Sequence, residues 1–515
     1  MADQADLSGD VVVIGAGHNA LICAAYLAKA GLEVVVLEAC SLIGGNTVTE
    51  ELTLPGWQHD SCSSAHALIQ SNPVLRDDEL GLISDYGLRY AFTEPATVFP
   101  LDDDDALVVH RSVDQTVEEL ARFSAQDARR LAEMLAEWAT LKVEHRRWNA
   151  GLEPSDSAVG RAYRALRARS AWDVMASNFK HPVTRRLLSW MGFATFQPPR
   201  RAGTGVLPLS ILNGRLEFGW ATPLGGSGAL PDRLARLIGD HGGTVLTSST
   251  VSKIDVANGR VVGVTTADGR RILARQAVVS SAHVLSMREM LGSGRSAELD
   301  AAAKAWRPGF ALFAVHAALK RDVTYPSSNG VSILSIAGGL GSPEGILRQV
   351  EGCLVTGEPA LEDPFMLMVS STVVDPQRAP GGTFKILTAA PLTLADGRSW
   401  DDYGPEYAEH LMRLAGRRLG GLEPENVEAV LAETPTGLAR RSHSNVGGSC
   451  HGGEFELPSG EIVPGWRHTT DIAGLFLTGS MSHPGGSVSG WPGRNAAQAV
   501  LRSLRLDPSV VMGAS

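Results

Sequence analysis

The sequence predicts an α/β fold of two intertwined lobes, opening on a parallel βαβ unit. Three observations predict this. A strand, a glycine-rich turn and a helix follow one another from residue 10, and a second strand, glycine-rich loop and helix close the chain at 475–505. Strand and hairpin signals crowd the stretch 220–282 between them. At 515 residues the chain is too long for one simple core, so two lobes are expected.

The first unit is the most specific. Val11-Val12-Val13-Ile14 is all apolar and β-branched, as a buried parallel strand should be. Gly15-Ala16-Gly17-His18-Asn19-Ala20 follows at once, then a helical pattern from Leu21 to Ala30 that Gly31 closes. A second apolar strand, Val34 to Leu37, ends at Glu38. This is a Rossmann-type βαβ dinucleotide fingerprint with alanine at the third glycine position. Gly15 permits the tight turn, Gly17 lets backbone approach a pyrophosphate, and Ala20 keeps helix and strand close. The helix N-terminus offers unpaired N–H groups to the phosphates. Glu38, 23 residues after Gly15, is placed to accept hydrogen bonds from a ribose diol.

Composition sets outer limits. Hydrophobic residues make up 44% and charged residues 20%, ordinary for a soluble globular protein. A formal charge of −10 argues against a nucleic-acid partner. The five cysteines (Cys23, Cys40, Cys62, Cys353, Cys450) are scattered and contain no C-x-x-C pair, which fits reduced thiols in the cytoplasm and no zinc site. Met1 to Asp10 is polar and acidic, so no signal peptide is expected. The longest apolar run, Phe310 to Leu319, is strand-sized and interrupted by His316, too short to span a bilayer.

Further glycine clusters extend the nucleotide signal. Ile43-Gly44-Gly45-Asn46-Thr47 and Gly56-Trp57-Gln58-His59-Asp60 follow Glu38. In the middle, Pro223 to Leu230 contains Gly225-Gly226 and precedes an amphipathic helix, Asp232 to His241, with Leu234, Leu237 and Ile238 on one face. Strands are expected around Val245 to Asp255 and Arg260 to Thr266, with hairpin signals at Asn258-Gly259 and Asp268-Gly269; Gln276 to Ser280 reads as another buried strand. Near the end, Leu475-Phe476-Leu477 leads into Thr478-Gly479-Ser480, then His483 to Gly490, and Arg494-Asn495 opens the last long helix, to about Arg505.

In these blocks the chain resembles the phytoene desaturase-related FAD oxidoreductases of the amine-oxidase-type superfamily. The stretches 11–60, 220–282 and 474–500 match in order and character. Val374-Asp375-Pro376-Gln377-Arg378-Ala379-Pro380-Gly381-Gly382 is similar to that group's D-P-x-x-A-P-x-G segment, and Gly447 to Gly452 to its G-G-x-x-x-H-G segment. The group's basic residue before Gly44-Gly45 is missing, since Ser41-Leu42-Ile43 stands there. The resemblance implies non-covalent FAD, held by Gly15, Gly17, His18, Asn19, Ala20, Glu38, Ala39, Gly44, Gly45, Asn46, Thr47, Val251, Ser280, Gly479, Ser480, Gly490 and Asn495, with the backbone near Val251 reading the adenine. It implies an FAD-binding lobe from 1–75, 221–295 and 441–515, and a discontinuous α+β substrate lobe with a helical cap from 76–220 and 296–440. With no second G-x-G-x-x-G unit, no built-in NAD(P)H site is expected. Dioxygen, a quinone or another soluble acceptor would reoxidise the flavin, and the oligomeric state is left open.

Hydride transfer to a flavin needs a substrate C–H held about 3–3.5 Å away, in line and free of water. The cofactor carries that chemistry, so few catalytic side chains are needed. His66 and His483 are the catalytic candidates, as bases or polarising donors, ahead of His316; each has a structural reading too. Cys450 is read as a small buried residue and not as a flavin attachment point. Asp102 to Asp105 is read as a charged hairpin turn and not a metal site. The basic, aromatic stretch Arg161 to Arg201 is read as a helical cap over an apolar substrate, a reading compatible with peripheral membrane contact. The leading function is a desaturase- or dehydrogenase-like enzyme taking hydride from a largely apolar substrate. The alternatives are an amine or amino-acid oxidase, with Lys320 as the flavin-side lysine, and a flavin-retaining isomerase or non-catalytic flavoprotein.

Overall fold

The structure, a computed structural model, describes residues 7–102, 104–327 and 329–513. Residues 1–6, which carry most of the leader reading, and Asp103 of the acidic turn lie outside the described residues.

Val11–Ile14 pairs in parallel with Val34–Leu37 on one side and with Ala277–Ser280 on the other. Thr244–Leu246 extends this sheet beyond Val34–Leu37, and Leu475–Leu477 adds beside Val278–Ser280, both in parallel. Three remote stretches of chain, 7–37, 244–280 and 475–477, thus meet in one seven-stranded sheet. The central strands are apolar at every position because helices cover one face and a meander with its packing partners covers the other. Helix His18–Lys29 is buried along nearly its whole length between helices Ala229–Asp240 and Trp491–Ser503. Leu234, Leu237 and Ile238 all point into that core.

The expected strand Val245 to Asp255 is in fact two. Thr244–Leu246 joins the parallel sheet, and Val251–Ala257 opens an antiparallel meander with Arg260–Thr266 and Arg271–Ser280. The break comes where Ser248 takes a left-handed φ of 50°. Asn258 and Gly259 both have positive φ, the type I′ geometry that suits a two-residue hairpin.

The inserted region carries a second seven-stranded sheet, ordered Val427–Glu433, Ala311–Leu319, Gly382–Ala390, Met366–Val369, Ala337–Leu340, Thr97–Pro100, Ala106–Val109. Helix Trp400–Gly416 packs on one face. The other face meets helices Ala125–Asn149, Pro182–Phe193 and Leu207–Phe218. Asp102 and Asp105 flank a hairpin turn and pair with different arginines, Arg418 and Arg122. In the basic stretch, Phe179, Trp190, Phe193 and Phe196 are buried in the core, so these aromatics face protein. Half-buried Trp172 carries the Arg200 guanidinium 5.0 Å above its ring. No described helix is long and apolar enough to cross a membrane.

A buried ion pair ties the short hairpin Thr49–Glu51/Gln58–Asp60 to the turn Pro376–Arg378 before strand Gly382–Ala390. Arg378, from the D-P-x-x-A-P block, donates to Asp60 at 3.0 Å, and both side chains are 1% exposed. Asp60 also accepts from Thr49 Oγ1 and the Ser227 N–H. Replacing Arg378 by Met leaves that carboxylate charged and buried without its cation. We expect a loss of about 3–5 kcal/mol in urea unfolding, partly recovered when Asp60 is changed to Asn in the same chain.

Candidate active site

A cavity of about 520 Å³ opens where the parallel strands of the first sheet end. Gly15 follows Val11–Ile14 with φ +89° and turns the chain into helix His18–Lys29. The first intrahelical bond runs from Leu21 N–H to Gly17 C=O, and Gly17 has no side chain to cap the helix. The N–H groups of His18, Asn19 and Ala20 are therefore left over, and all three residues line the cavity. A Cβ on Gly17 would meet no protein atom within 4 Å.

The second glycine turn supports the first. Gly44 N–H donates to Ala16 C=O at 2.7 Å, and a Cβ on Gly45 would sit 3.3 Å from Gly17 Cα. Asn46 exchanges paired amide hydrogen bonds with Asn445 and donates to the Cys450 carbonyl, joining this turn to the segment Gly447 to Gly452. Thr47 meets His18 Nδ1 at 2.9 Å. Burial holds the His18 imidazole neutral, with its pKa lowered to about 4. Glu38, at the end of Val34–Leu37, accepts from the N–H groups of Ala16 and Cys40 and keeps lone pairs for a further donor.

Ala39, Val251, Gly479 and Ser480 complete this wall with the residues above. Three expected contacts fall elsewhere. Ser280 is off the cavity lining, and its Oγ accepts from Ala282 N–H; its neighbour Ser281 lines the cavity instead. Gly490 caps helix Trp491–Ser503 in a left-handed conformation against Ile69. Asn495, further along that helix, donates to the Asn149 carbonyl. The helix packs closely on His18–Lys29, and it is the loop before it, through Ser487 and Val488, that reaches the cavity.

The histidine candidates His66, His483 and His316 lie off the cavity lining. His66 is fully buried and does not line the cavity, although Ala65 and Ala67 do. Ser227 Oγ gives its proton to the Ser63 carbonyl, so His66 Nε2 donates to Ser227 and Nδ1 accepts from Tyr90. Burial lowers its pKa to about 3, so the ring is neutral between its two hydroxyl partners. His483 lies edge-on to Trp148 and donates to that residue's carbonyl at 2.6 Å. His316 is bound to Glu433 at 3.0 Å in a buried cluster with Ser61 and Arg441. Lys320 is mostly exposed, bonded to the Glu425 carbonyl and beside Glu428. The buried lysine is Lys385, whose ammonium donates to the carbonyls of Asp60 and Cys62.

Residues outside the expected set finish the cavity. His451, next to Cys450 in a block already singled out, lines it against Phe196, with its pKa lowered to about 4 by burial. Cys62 and Cys450, 388 positions apart, bring their sulfurs to 3.0 Å at the wall, a meeting their spacing did not signal. Leu312, Leu367 and Leu387, on neighbouring strands of the second sheet, supply an apolar surface. His283 also lines the cavity and has a buried ring nitrogen without a partner, as does the Asn19 amide oxygen.

These features fit a dinucleotide cofactor: unpaired helix N–H groups, glycine turns that a side chain would fill, a carboxylate at the second strand end and buried polar atoms awaiting partners. Comparison with known proteins agrees. Residues 21–333 match the family described as flavin containing amine oxidoreductase. The chain is 26% identical to mouse pyridine nucleotide-disulfide oxidoreductase domain-containing protein 2, across 96% of this chain and 94% of the mouse protein. It is 26% identical to a limonene dehydrogenase polypeptide of Castellaniella defragrans (97% and 95% covered) and 24% identical to a lycopene-forming phytoene desaturase of Paracoccus (96% and 97%). An oxidoreductase structure from Methanosarcina mazei superposes with a TM-score of 0.60 at 18% identity, covering 96% of this chain and all of the other. The chain belongs to the flavin containing amine oxidoreductase family and is an FAD-dependent oxidoreductase.

Proposed function

We propose that the chain is a desaturase- or dehydrogenase-like enzyme that removes hydride from an organic molecule with a largely apolar body and passes the electrons to a soluble acceptor. The observation that carries this reading is the shared cavity: one wall is the glycine cradle, and another is Leu312, Leu367, Leu387 and Phe196. Bound FAD supplies the hydride-accepting chemistry. The chain's own part is placement and exclusion of water. Gly15 to Ala20 and Gly44 to Thr47 hold the diphosphate, Glu38 the ribose and Val251 the adenine region. The leucine wall keeps the reacting carbon dry, and the buried, neutral His451 offers a polar contact beside it.

The relatives acting by name on limonene and phytoene support an apolar substrate. The amine-oxidase alternative loses its lysine, since Lys320 faces solvent. The test is anaerobic mixing of the purified yellow protein with a panel of saturated hydrocarbons, terpenes and amines, watching the oxidised flavin band. Bleaching by apolar C–H donors is the expected result. Bleaching by amines alone, or turnover that leaves the substrate's oxidation level unchanged, overturns it. Denaturation should release FAD into the supernatant.

A further inference from the structure

Helix Leu207–Phe218 presents Ile211, Gly214 and Arg215 to the cavity, the i, i+3, i+4 face of one turn. Arg215 is only 7% exposed, and its Nε and Nη1 have no hydrogen-bond partner. Among the described residues no carboxylate pairs with it. Its guanidinium carbon sits 3.9 Å from the ring centre of Trp220, which is fully buried and also lines the cavity. The Trp220 indole Nε1 is likewise buried without an acceptor. Two neighbouring side chains that can only donate therefore line one cavity, and among the described residues no acceptor reaches Nε or Nη1 of Arg215 or the indole nitrogen of Trp220.

A buried cation without a counter-charge is strongly disfavoured unless something else brings the negative charge. A cavity wall is where a ligand does so. From this we infer that Arg215, oriented by the face of Trp220, binds a carboxylate of the substrate, so that the substrate class is an apolar body bearing one carboxylic acid. The planar guanidinium fork matches a carboxylate in a bidentate pair. The leucines and Phe196 of the same cavity receive the apolar remainder. Arg215 is then a binding and positioning residue: fixing the acid fixes which carbon meets the cofactor.

This inference rests on the reading of the cavity as the FAD and substrate site, and the test separates the two. Isothermal titration of the FAD-loaded protein would compare octanoate with octan-1-ol, and phenylacetate with 2-phenylethanol. The same series would be run on Arg215→Met and Arg215→Lys. Each acid should bind at least ~10-fold more tightly than its alcohol in the wild type. Arg215→Met should abolish that preference while leaving alcohol binding intact, and Arg215→Lys should keep part of it. Arg215→Met should also melt no lower than wild type without ligand, since it removes an uncompensated charge. Equal binding of acid and alcohol, no measurable acid binding, or an unchanged preference in Arg215→Met overturns the inference. Loss of FAD from Arg215→Met reassigns the residue to the cofactor and overturns it too. A wild-type protein that holds no FAD would instead sink the reading beneath it.

Discussion

Changing Gly15 to Val yields a folded but colourless protein. The glycine sits at φ +89°, a conformation that a β-branched residue essentially does not adopt. A Cβ there would also lie 2.3 Å from Ser281 Oγ, which is itself held by a hydrogen bond to the Ile14 carbonyl. The turn must shift to relieve both problems. That moves the N–H groups of His18, Asn19 and Ala20, which are the unpaired donors of the cradle. Losing two hydrogen bonds to a charged phosphate, at about 1.5–3 kcal/mol each, weakens FAD binding by roughly 100-fold or more. The ratio of flavin to protein absorbance after purification reads this directly. Gly31→Ala is the matched control. Gly31 has φ +86° but is exposed and has open space around its would-be Cβ. That variant should lose about 1–2 kcal/mol of stability and keep its colour.

Acid should destabilise the protein well before its carboxylates titrate. His59 and His66 are buried and neutral, with pKa lowered from 6.5 to about 3 chiefly by burial; burial holds the His316 pKa below its usual value as well. In the unfolded chain these rings take up protons from pH 6.5 downward, whereas in the folded protein they do not. Their stabilising contribution is therefore complete above pH 6.5 and is lost progressively as the pH falls toward the folded values. At pH 5 each of the first two has lost on the order of 2 kcal/mol. Glu433, lowered from 4.5 to about 2, adds its own loss only below pH 4.5. Urea midpoints at pH 8, 6.5, 5.5 and 5 should be level between the first two and then drop steeply. His66→Gln should flatten the drop by up to one proton. A midpoint that stays constant down to pH 5 would refute the assignment of these rings as neutral.

These two predictions draw on different layers of the molecule. The glycine turn is local: its residues, spacing and conformation are set within a short stretch from Val11 to Glu38. The histidine effect is tertiary, because no local pattern around His59 or His66 shows that the chain will close over them.

The division runs through the whole site. The βαβ unit, the hairpin at Asn258-Gly259, the amphipathic helix ending near His241 and the strand at Leu475–Leu477 were legible in residue order, since steric and periodic rules act over a few residues. The structure puts Gly15, Gly17 to Ala20, Glu38, Gly44 to Thr47, Val251, Gly479 and Ser480, all named from those patterns and the resemblance, on the lining of one cavity. What a side chain faces was not legible. Ser281, just past the end of strand Arg271–Ser280, lines the cavity while Ser280 does not, and His66 turns away from the cavity that both its neighbours line. Nor could spacing reveal that Arg378 would neutralise Asp60, that Cys62 would meet Cys450, or that Arg215 would be buried without a carboxylate. Those partners lie hundreds of positions apart or are absent among the described residues, and only tertiary packing decides which charges are compensated.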